Sequence, residues 1–256
     1  MTDADPAWLA PAAAESKRFN LRIVRGRVDG ILPAPGVLRR EIDALQPDIV
    51  ILRLPAGVTT PIYELIDDGF TPIHADTLVY HVRQLDQPIG DLRKTPALVV
   101  DLANHADRVR IAEIAKHAFS SYRSHYYANP RLDPNMIGEG YAEWAVLFID
   151  TQTTDHETWV VRTNDGIVGF ATCALSHDGT SVEVVLNAVD PAHTHRGIYG
   201  QLLNQILLAY QARGFATVRI STQVWNYIVQ RAWAHSGFVI SQAYDTYHIN
   251  IPQWQG

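Results

Sequence analysis

One cysteine, Cys173, is all the thiol that the 256 residues contain. An internal disulfide and a cysteine-rich zinc site are therefore excluded. Cys173 lies in the apolar stretch from Val168 to Leu175, where a buried structural thiol is expected rather than a nucleophile. No apolar run reaches the roughly 18–20 residues of a membrane span. Long basic runs are missing too, and the formal net charge of −6 argues against a nucleic-acid partner. The start, Met1 to Ser16, is rich in Ala, Asp and Pro and has no positive segment followed by an apolar core. A secretory signal is not expected there, and a cytoplasmic protein is. Low-complexity tracts and internal repeats are not visible. What remains, 47% hydrophobic and 19% charged residues, is enough for a large buried core in one or two domains.

Periodicity places the elements. Leu21 to Val28 alternates as a half-buried strand does, and Val37, Leu38, Ile42 and Leu45 have helical spacing up to Pro47. Asp48 to Leu54 is a short apolar run suited to a central strand. A helix is expected from Thr60 to Asp68, with Pro61 inside its start and Gly69 past its end, and then a strand from Ala75 to Arg83. The polar stretch Asp86 to Thr95 separates this small β/α domain, residues 1–90, from a second domain, residues 95–256. The second domain opens with a strand near Ala97–Asp101 and a helix to Phe119. An aromatic-rich loop follows to Glu139, then a helix to Asp150 and strands near Thr158–Thr163, Gly166–Leu175 and Ser181–Val189. The hairpin signal Asn164-Asp165-Gly166 joins the first two of these. A helix (Gly197 to Arg213), a strand (Thr217 to Gln223), a helix (Asn226 to Ser236) and a last strand (Tyr244 to Ile251) complete an α/β chain.

The stretch from Glu183 to Leu203 carries the chemistry. It is an apolar strand, a Pro-containing turn, a loop of glycine and basic residues, then a helix. Such a junction presents unpaired backbone N–H groups at the positive end of a helix, and its glycines let a pyrophosphate approach. His193, His195 and Arg196 add positive charge. His193 and His195 have no third histidine or carboxylate nearby, so no metal is expected.

With its order of elements, this junction resembles the GCN5-related N-acetyltransferase (GNAT) superfamily over about 155 residues. Thr194-His195-Arg196-Gly197-Ile198-Tyr199 aligns with that family's Arg/Gln-x-x-Gly-x-Gly/Ala loop; Gly197 matches, and Thr and Tyr replace the first and last positions. Ser221-Thr222-Gln223, then Asn226, Val229 and Trp233, then Ser236-Gly237-Phe238 resemble the family's next strand and helix. A narrower resemblance links the chain to acyltransferases of nucleotide-linked amino sugars. It rests on Leu186-Asn187-Ala188-Val189, Gly197-Ile198-Tyr199, Ser221-Thr222-Gln223, the loop from Ser124 to Pro130, the Thr77-Leu78-Val79-Tyr80 strand and the amino-terminal extension.

The resemblance implies a mixed, largely antiparallel sheet flanked by helices, and an enzyme that moves an acyl group from acetyl-CoA or another acyl-CoA to an amine. The acceptor it implies is a dTDP-linked amino deoxysugar, with another small amine or a protein lysine as the alternative, or a non-catalytic acyl-CoA-binding role. Leu186, Ala188 and Val189 would contact the pantetheine. His195, Arg196, Gly197, Ile198, Tyr199 and Gly200 would hold the pyrophosphate, with Asn226 and Trp233 also on the cofactor side. Period two places Glu183, Val185 and Asn187 on one face. Glu183 and His125 are rival bases, and Asn187 is the third candidate for catalysis. Arg123, Tyr126, Arg131, Gln223 and Tyr244 are candidates for the acceptor. The family's usual tyrosine is replaced by Trp233, which leaves the acid unassigned. A homodimer is the base-rate expectation for the assembly.

Overall fold

A computed structural model describes residues 7–90, 98–151, 153–194 and 197–252. The chain forms two compact units, one of Met1–Leu78, Arg123–Met136 and Gln242–Gly256, the other of Val79–Tyr122 and Ile137–Ser241. The sequence boundary at 90–95 thus falls within the second unit. What the linear reading misses is that a loop and the last strand join the amino-terminal residues.

In the first unit, β1 (Ala10–Pro11) pairs antiparallel with β2 (Ile23–Arg27), and α1 (Ala13–Phe19) lies between them in sequence. From β2 the chain passes through α2 (Val37–Leu45) to β3 (Ile49–Pro55), which runs parallel to β2. Next come α3 (Thr60–Asp67) and the long β4 (Pro72–Gln84), whose end belongs to the second unit. The helical spacing of Leu38 and Ile42 is used as expected. Together with Ile62 and Leu65 of α3 they pack on Val24, Val50, Leu52 and Leu54, each buried side chain contributing about 1.5–3 kcal/mol. On the opposite sheet face, Ile23, Ile49 and Ile51 pack with Ala12 and Leu132, and with Phe19 and Tyr126 at the edge.

The second unit contains β5 (Val99–Leu102), α4 (Arg108–Phe119), α5 (Asn135–Asp150), β6 (His156–Thr163), β7 (Gly166–Leu175) and β8 (Ser181–Val189). Strands β5 to β8 pair in antiparallel succession. Then α6 (Ile198–Ala212) leads to β9 (Thr217–Gln223), parallel to β8. Last are α7 (Tyr227–His235) and β10 (Val239–Asn250), whose end pairs antiparallel with β3 in the first unit. The core of the second unit is Val182, Val184, Ala171 and Cys173 from the sheet against Ile198, Leu202, Ile206 and Trp233 from the helices.

The backbone contains a repeat that the sequence hides. The path β2–α2–β3–α3–β4 is followed again by β8–α6–β9–α7–β10, each with a parallel first pair. Both crossover helices open on a glycine in the left-handed conformation, Gly36 (φ 74°, ψ 0°) and Gly197 (φ 72°, ψ 3°). Both second helices close through Gly-Phe: Phe70 N–H donates to Leu65 O (2.9 Å), and Phe238 N–H to Trp233 O (3.0 Å). This is the Schellman closure, in which the left-handed glycine lets the next N–H reach back to a helical carbonyl. Backbone requirements are kept in both halves while the side chains differ.

Candidate active site

The pairing of β8 with β9 stops early. It runs from Ser181↔Thr217 to Val184↔Ile220, yet β8 continues to Val189 and β9 to Gln223. On its other edge β8 stays paired with β7 as far as Val189↔Gly169. The β9-facing backbone after Leu186, as far as Val189, is therefore left with polar groups that need partners. A slot of this kind suits an extended amide-bearing chain.

A bulge sits at the point of parting. The register steps from Thr172↔Leu186 to Cys173↔Val184, so Val185 is extra, and a bulge locally bends and twists the strand that carries it. Thr172 Oγ1 donates to Leu186 O (3.2 Å) and accepts from Leu186 N–H (3.1 Å), holding the bend. The bulge overturns the simple period-two expectation. Residues paired across an antiparallel ladder share a face. Glu183 pairs with Ala174 and Asn187 with Ala171, and Ala174 and Ala171 lie on opposite faces of β7. Glu183 and Asn187 therefore point to opposite sides, and Asn187 takes the side of the α6–α7 core. Glu183 is half-buried and has no ion-pair partner among the described residues.

The start of α6 is built for close approach. Gly197 caps it with no side-chain hydrogen bond, and the space around its Cα is open. The first-turn N–H groups of Ile198, Tyr199 and Gly200 precede the first intrahelical bond, Gln201 N–H to Gly197 O (3.1 Å). The turn before it is braced by Asp190, which accepts from Ala192 N–H (2.9 Å) and pairs with Arg110. His195 and Arg196, expected at the pyrophosphate, lie outside the described residues.

Where the family's tyrosine is missing, another side chain brings a phenol. Trp233 of α7 is buried, and its indole N–H donates to the Tyr199 hydroxyl at 2.6 Å. Burial raises the Tyr199 pKa, and the indole N–H only partly opposes this. The ring of His81 meets Trp233 edge-on at 5.1 Å, and burial lowers the His81 pKa against a backbone hydrogen bond at Val79. At the end of β9, Asn226 Nδ2 donates to Thr222 Oγ1 (3.0 Å). The Tyr122 hydroxyl bonds Thr222 Oγ1 (3.0 Å) and donates to the Gln223 side-chain oxygen. Gln223 keeps its amide N–H groups as donors. Tyr122 and His81 were not candidates in the sequence: Tyr122 is one of several loop aromatics, and His81 sits unmarked in an apolar strand.

The first unit holds the other candidates. His125 is buried, its Nδ1 2.8 Å from His248 Nε2 and its Nε2 3.2 Å from Arg25 Nη2. Burial, then Arg25, His248 and Arg53, push its pKa well below the usual histidine value. Both ring nitrogens are occupied, which removes the lone pair that a base would need. Arg25 also reaches the Tyr126 hydroxyl at 3.3 Å. Arg131 Nη1 donates to two backbone carbonyls, Asp48 O (2.9 Å) and Ile251 O (3.2 Å), and so braces the loop against the unit's strands. The hydroxyl of Tyr244 donates to Asp29, and the Arg27 guanidinium lies 4.2 Å from its ring centre. Arg123 has at least one partner of its own. Among the described residues no group of three His, Cys, Asp or Glu side chains is placed to hold a metal ion. Cys173 is fully buried, and burial pushes its thiol pKa to about 12, which removes it from catalysis.

A parted parallel strand pair, a bulge at the parting and a glycine-opened helix define an acyl-CoA-dependent N-acyltransferase, and residues 112–238 match the Acetyltransferase (GNAT) family. The chain carries a GNAT acetyltransferase domain. A dTDP-fucosamine acetyltransferase from Escherichia coli O6:H1 is 26% identical over 209 residues, covering 80% of this chain and 84% of the relative. Among solved structures, a GCN5-related N-acetyltransferase from Sphaerobacter thermophilus superposes with a TM-score of 0.64 at 15% identity, over 90% of this chain and 74% of its own. A GNAT-family protein from Novosphingobium aromaticivorans superposes with a TM-score of 0.58 at 16% identity, over 98% of this chain and 92% of its own. These structural likenesses establish the fold. No helix among the described residues is long and apolar enough to cross a membrane.

Proposed function

We propose that this chain is a cytoplasmic enzyme that transfers an acetyl group from acetyl-CoA to the amine of a dTDP-linked amino deoxysugar. The observation that carries the acyl-CoA side is the end of the β8–β9 ladder at Val184↔Ile220, beside a helix opened by a left-handed glycine. The acceptor side rests on the 26% identity to a dTDP-fucosamine acetyltransferase.

In this reading the pantetheine lies along Leu186 to Val189 and its amides bond the open backbone that follows Leu186, and the pyrophosphate lies on the first-turn N–H groups of α6. The neutral amine attacks the thioester carbonyl, the new C–N bond forms and the C–S bond breaks. A backbone N–H at Ala188 or Val189 stabilises the oxyanion. Glu183, the candidate base that keeps a carboxylate without an ion-pair partner, takes the amine's proton directly or through water. His125 is assigned no proton transfer because both its ring nitrogens are engaged.

Tyr199 takes the leaving-group position. The Trp233 indole N–H donates into the phenol oxygen, which leaves the phenol's own O–H free to point at the departing sulfur. Its pKa is raised by burial, so it stabilises the thiolate by a hydrogen bond rather than by surrendering its proton. Solvent protonates the thiolate, whose conjugate acid has a pKa of about 8.5. Gln223, oriented by Tyr122, offers its amide to the acceptor. The direct test is release of free CoA thiol from acetyl-CoA in the presence of dTDP-linked 3-amino and 4-amino deoxysugars.

A further inference from the structure

One turn separates the two stretches of backbone that meet the cofactor. The open edge of β8 ends at Val189, and the first turn of α6 begins at Ile198. On leaving β8 the chain passes through Asp190 and a short 3₁₀ turn, Pro191–His193. The direction it takes there sets the strand edge against the start of the helix. Pro191 fixes one φ angle of this turn. Side chains fix the rest.

Asp190 is buried, and all four of its polar atoms are engaged. Its N–H donates to Val168 O (2.8 Å), and its carbonyl accepts from His193 N–H (2.8 Å). One carboxylate oxygen accepts from Ala192 N–H (2.9 Å), the other from Arg110 Nη2. Burial alone would raise the Asp190 carboxyl, but the Ala192 N–H and Arg110 hold it below the usual carboxylate value. Thr194 Oγ1 closes the turn by donating to Pro191 O (3.2 Å).

Arg110 does more than neutralise Asp190. It lies in the first turn of α4, and its Nε donates to Ile167 O (3.1 Å) while Nη1 donates to Glu113 (3.2 Å). Ile167 and Val168 are consecutive residues of β7, so Arg110 and Asp190 hang on neighbouring carbonyls of one strand. The guanidinium thereby bridges α4, the start of β7 and the end of β8. Its planar fork gives these bonds fixed directions, which an ammonium does not. Close packing of β7 on β8 follows at Gly169, where a Cβ would stand 3.1 Å from Ala188 O. Arg108, on the same helix, offers a contrast. It pairs with Asp150 through Nε (2.8 Å) and Nη2 (2.8 Å), and both side chains are exposed.

We infer that Arg110 is a positioning residue for acyl-CoA: acting through Asp190, it fixes the turn that sets the open edge of β8 against the first turn of α6. This rests on the placement of the pantetheine along β8 and of the pyrophosphate on α6 given above. Without Arg110 the Asp190 carboxylate keeps its backbone donor and loses its counter-charge. The turn then gains freedom that cofactor binding has to remove.

The test is titration calorimetry of the full chain with CoA, beside urea unfolding of each variant. R110M and D190N are each expected to weaken CoA binding about tenfold, within the range over which small misplacements act. D190N keeps an oxygen for Ala192 N–H, so it reports on the ion pair even if R110M disturbs folding. The double variant is expected to bind no more weakly than either single one, because both remove the same contact. R110K, which still carries a charge to Asp190, is expected to bind CoA more tightly than R110M. R108M removes an ion pair from the same helix and is expected to leave CoA affinity unchanged, whatever its stability. Unchanged affinity in both R110M and D190N overturns the inference, as does equal weakening in R108M and R110M. Full additivity in the double variant overturns the action through Asp190. Loss of CoA affinity in G197A without loss in R110M sinks the positioning role alone. Unchanged affinity in G197A sinks the placement of the pyrophosphate on which it rests.

Discussion

The indole N–H of Trp233 donates to the hydroxyl of Tyr199 at 2.6 Å, which ties the first turn of α6 to the middle of α7. Neither residue occupies the place where the family's tyrosine is expected together with a phenol, yet the pair delivers a phenol beside that place. The donor direction matters, because the indole cannot accept and the phenol's own proton therefore points elsewhere.

Replacing Tyr199 by Phe removes one hydrogen bond to a developing thiolate. A bond to a charged group contributes about 1.5–3 kcal/mol, so kcat is expected to fall about 10- to 100-fold. The KM for acetyl-CoA is expected to change little. Stopped-assay thiol release at saturating substrate checks this, and an unchanged kcat would remove Tyr199 from the leaving-group position.

Gly197 has a matched control in Gly36. Both adopt φ above 70° at the start of a crossover helix, and a side chain in that conformation costs about 1–2 kcal/mol. G197A and G36A are each expected to lower stability by about that amount in urea unfolding. Only G197A is expected to raise the KM for acetyl-CoA. Equal KM values in the two variants would disconnect the α6 start from the pyrophosphate.

Cys173 is fully buried, with its thiol pKa pushed to about 12. The native protein is expected to show no reaction with a thiol-specific disulfide reagent until unfolded, and C173A is expected to keep full turnover. Rapid labelling of the folded chain would contradict its place in the core.

His125 and His248 link stability to pH. Burial, with Arg25 and Arg53 nearby, pushes His248 down to about 3, and His125 is held well below its ordinary value by burial first, then Arg25. In the unfolded chain both rings titrate near 6.5. Below that pH the unfolded state binds protons that the folded state refuses, so the stability is whole above about pH 6.5 and is lost as pH falls toward the folded values. His248 is expected to cost about 1.4 kcal/mol between pH 7.5 and 5.5, and His125 adds to the loss in the same direction. Urea midpoints of the native chain and of H248Q over that range measure it, and the variant is expected to show the shallower dependence.

The parts of this account that a sequence can carry are those set by burial. Val37–Leu45, Gly166–Leu175, Ser181–Val189 and Thr217–Gln223 have the bounds their periodicity gives, because each alternation or helical stripe reports which side chains leave water. Pairing is another matter. The extra residue at Val185 leaves the in-and-out burial of β8 undisturbed while turning Asn187 to the face opposite Glu183, so no pattern in the sequence announces it. The end of the β8–β9 ladder at Val184 is equally silent. The repeat of β2–α2–β3–α3–β4 survives in Gly36 and Gly69-Phe70, too few positions to stand out in the sequence. His125 reads as a titrating loop residue by type, and only its contacts with Arg25 and His248 remove its lone pair. The short α1 was not foreseen, since Ala13–Phe19 lacks an apolar stripe and none of its residues is buried.

The acceptor is the claim on which the rest depends. Release of CoA thiol from acetyl-CoA, followed with a series of dTDP- and UDP-linked amino deoxysugars and with mass analysis of the product, tests it most directly. The account predicts turnover with a dTDP-linked amino sugar and a product heavier by one acetyl group, with E183Q strongly impaired. Turnover with a polyamine or a lysine peptide and none with any sugar nucleotide would contradict it.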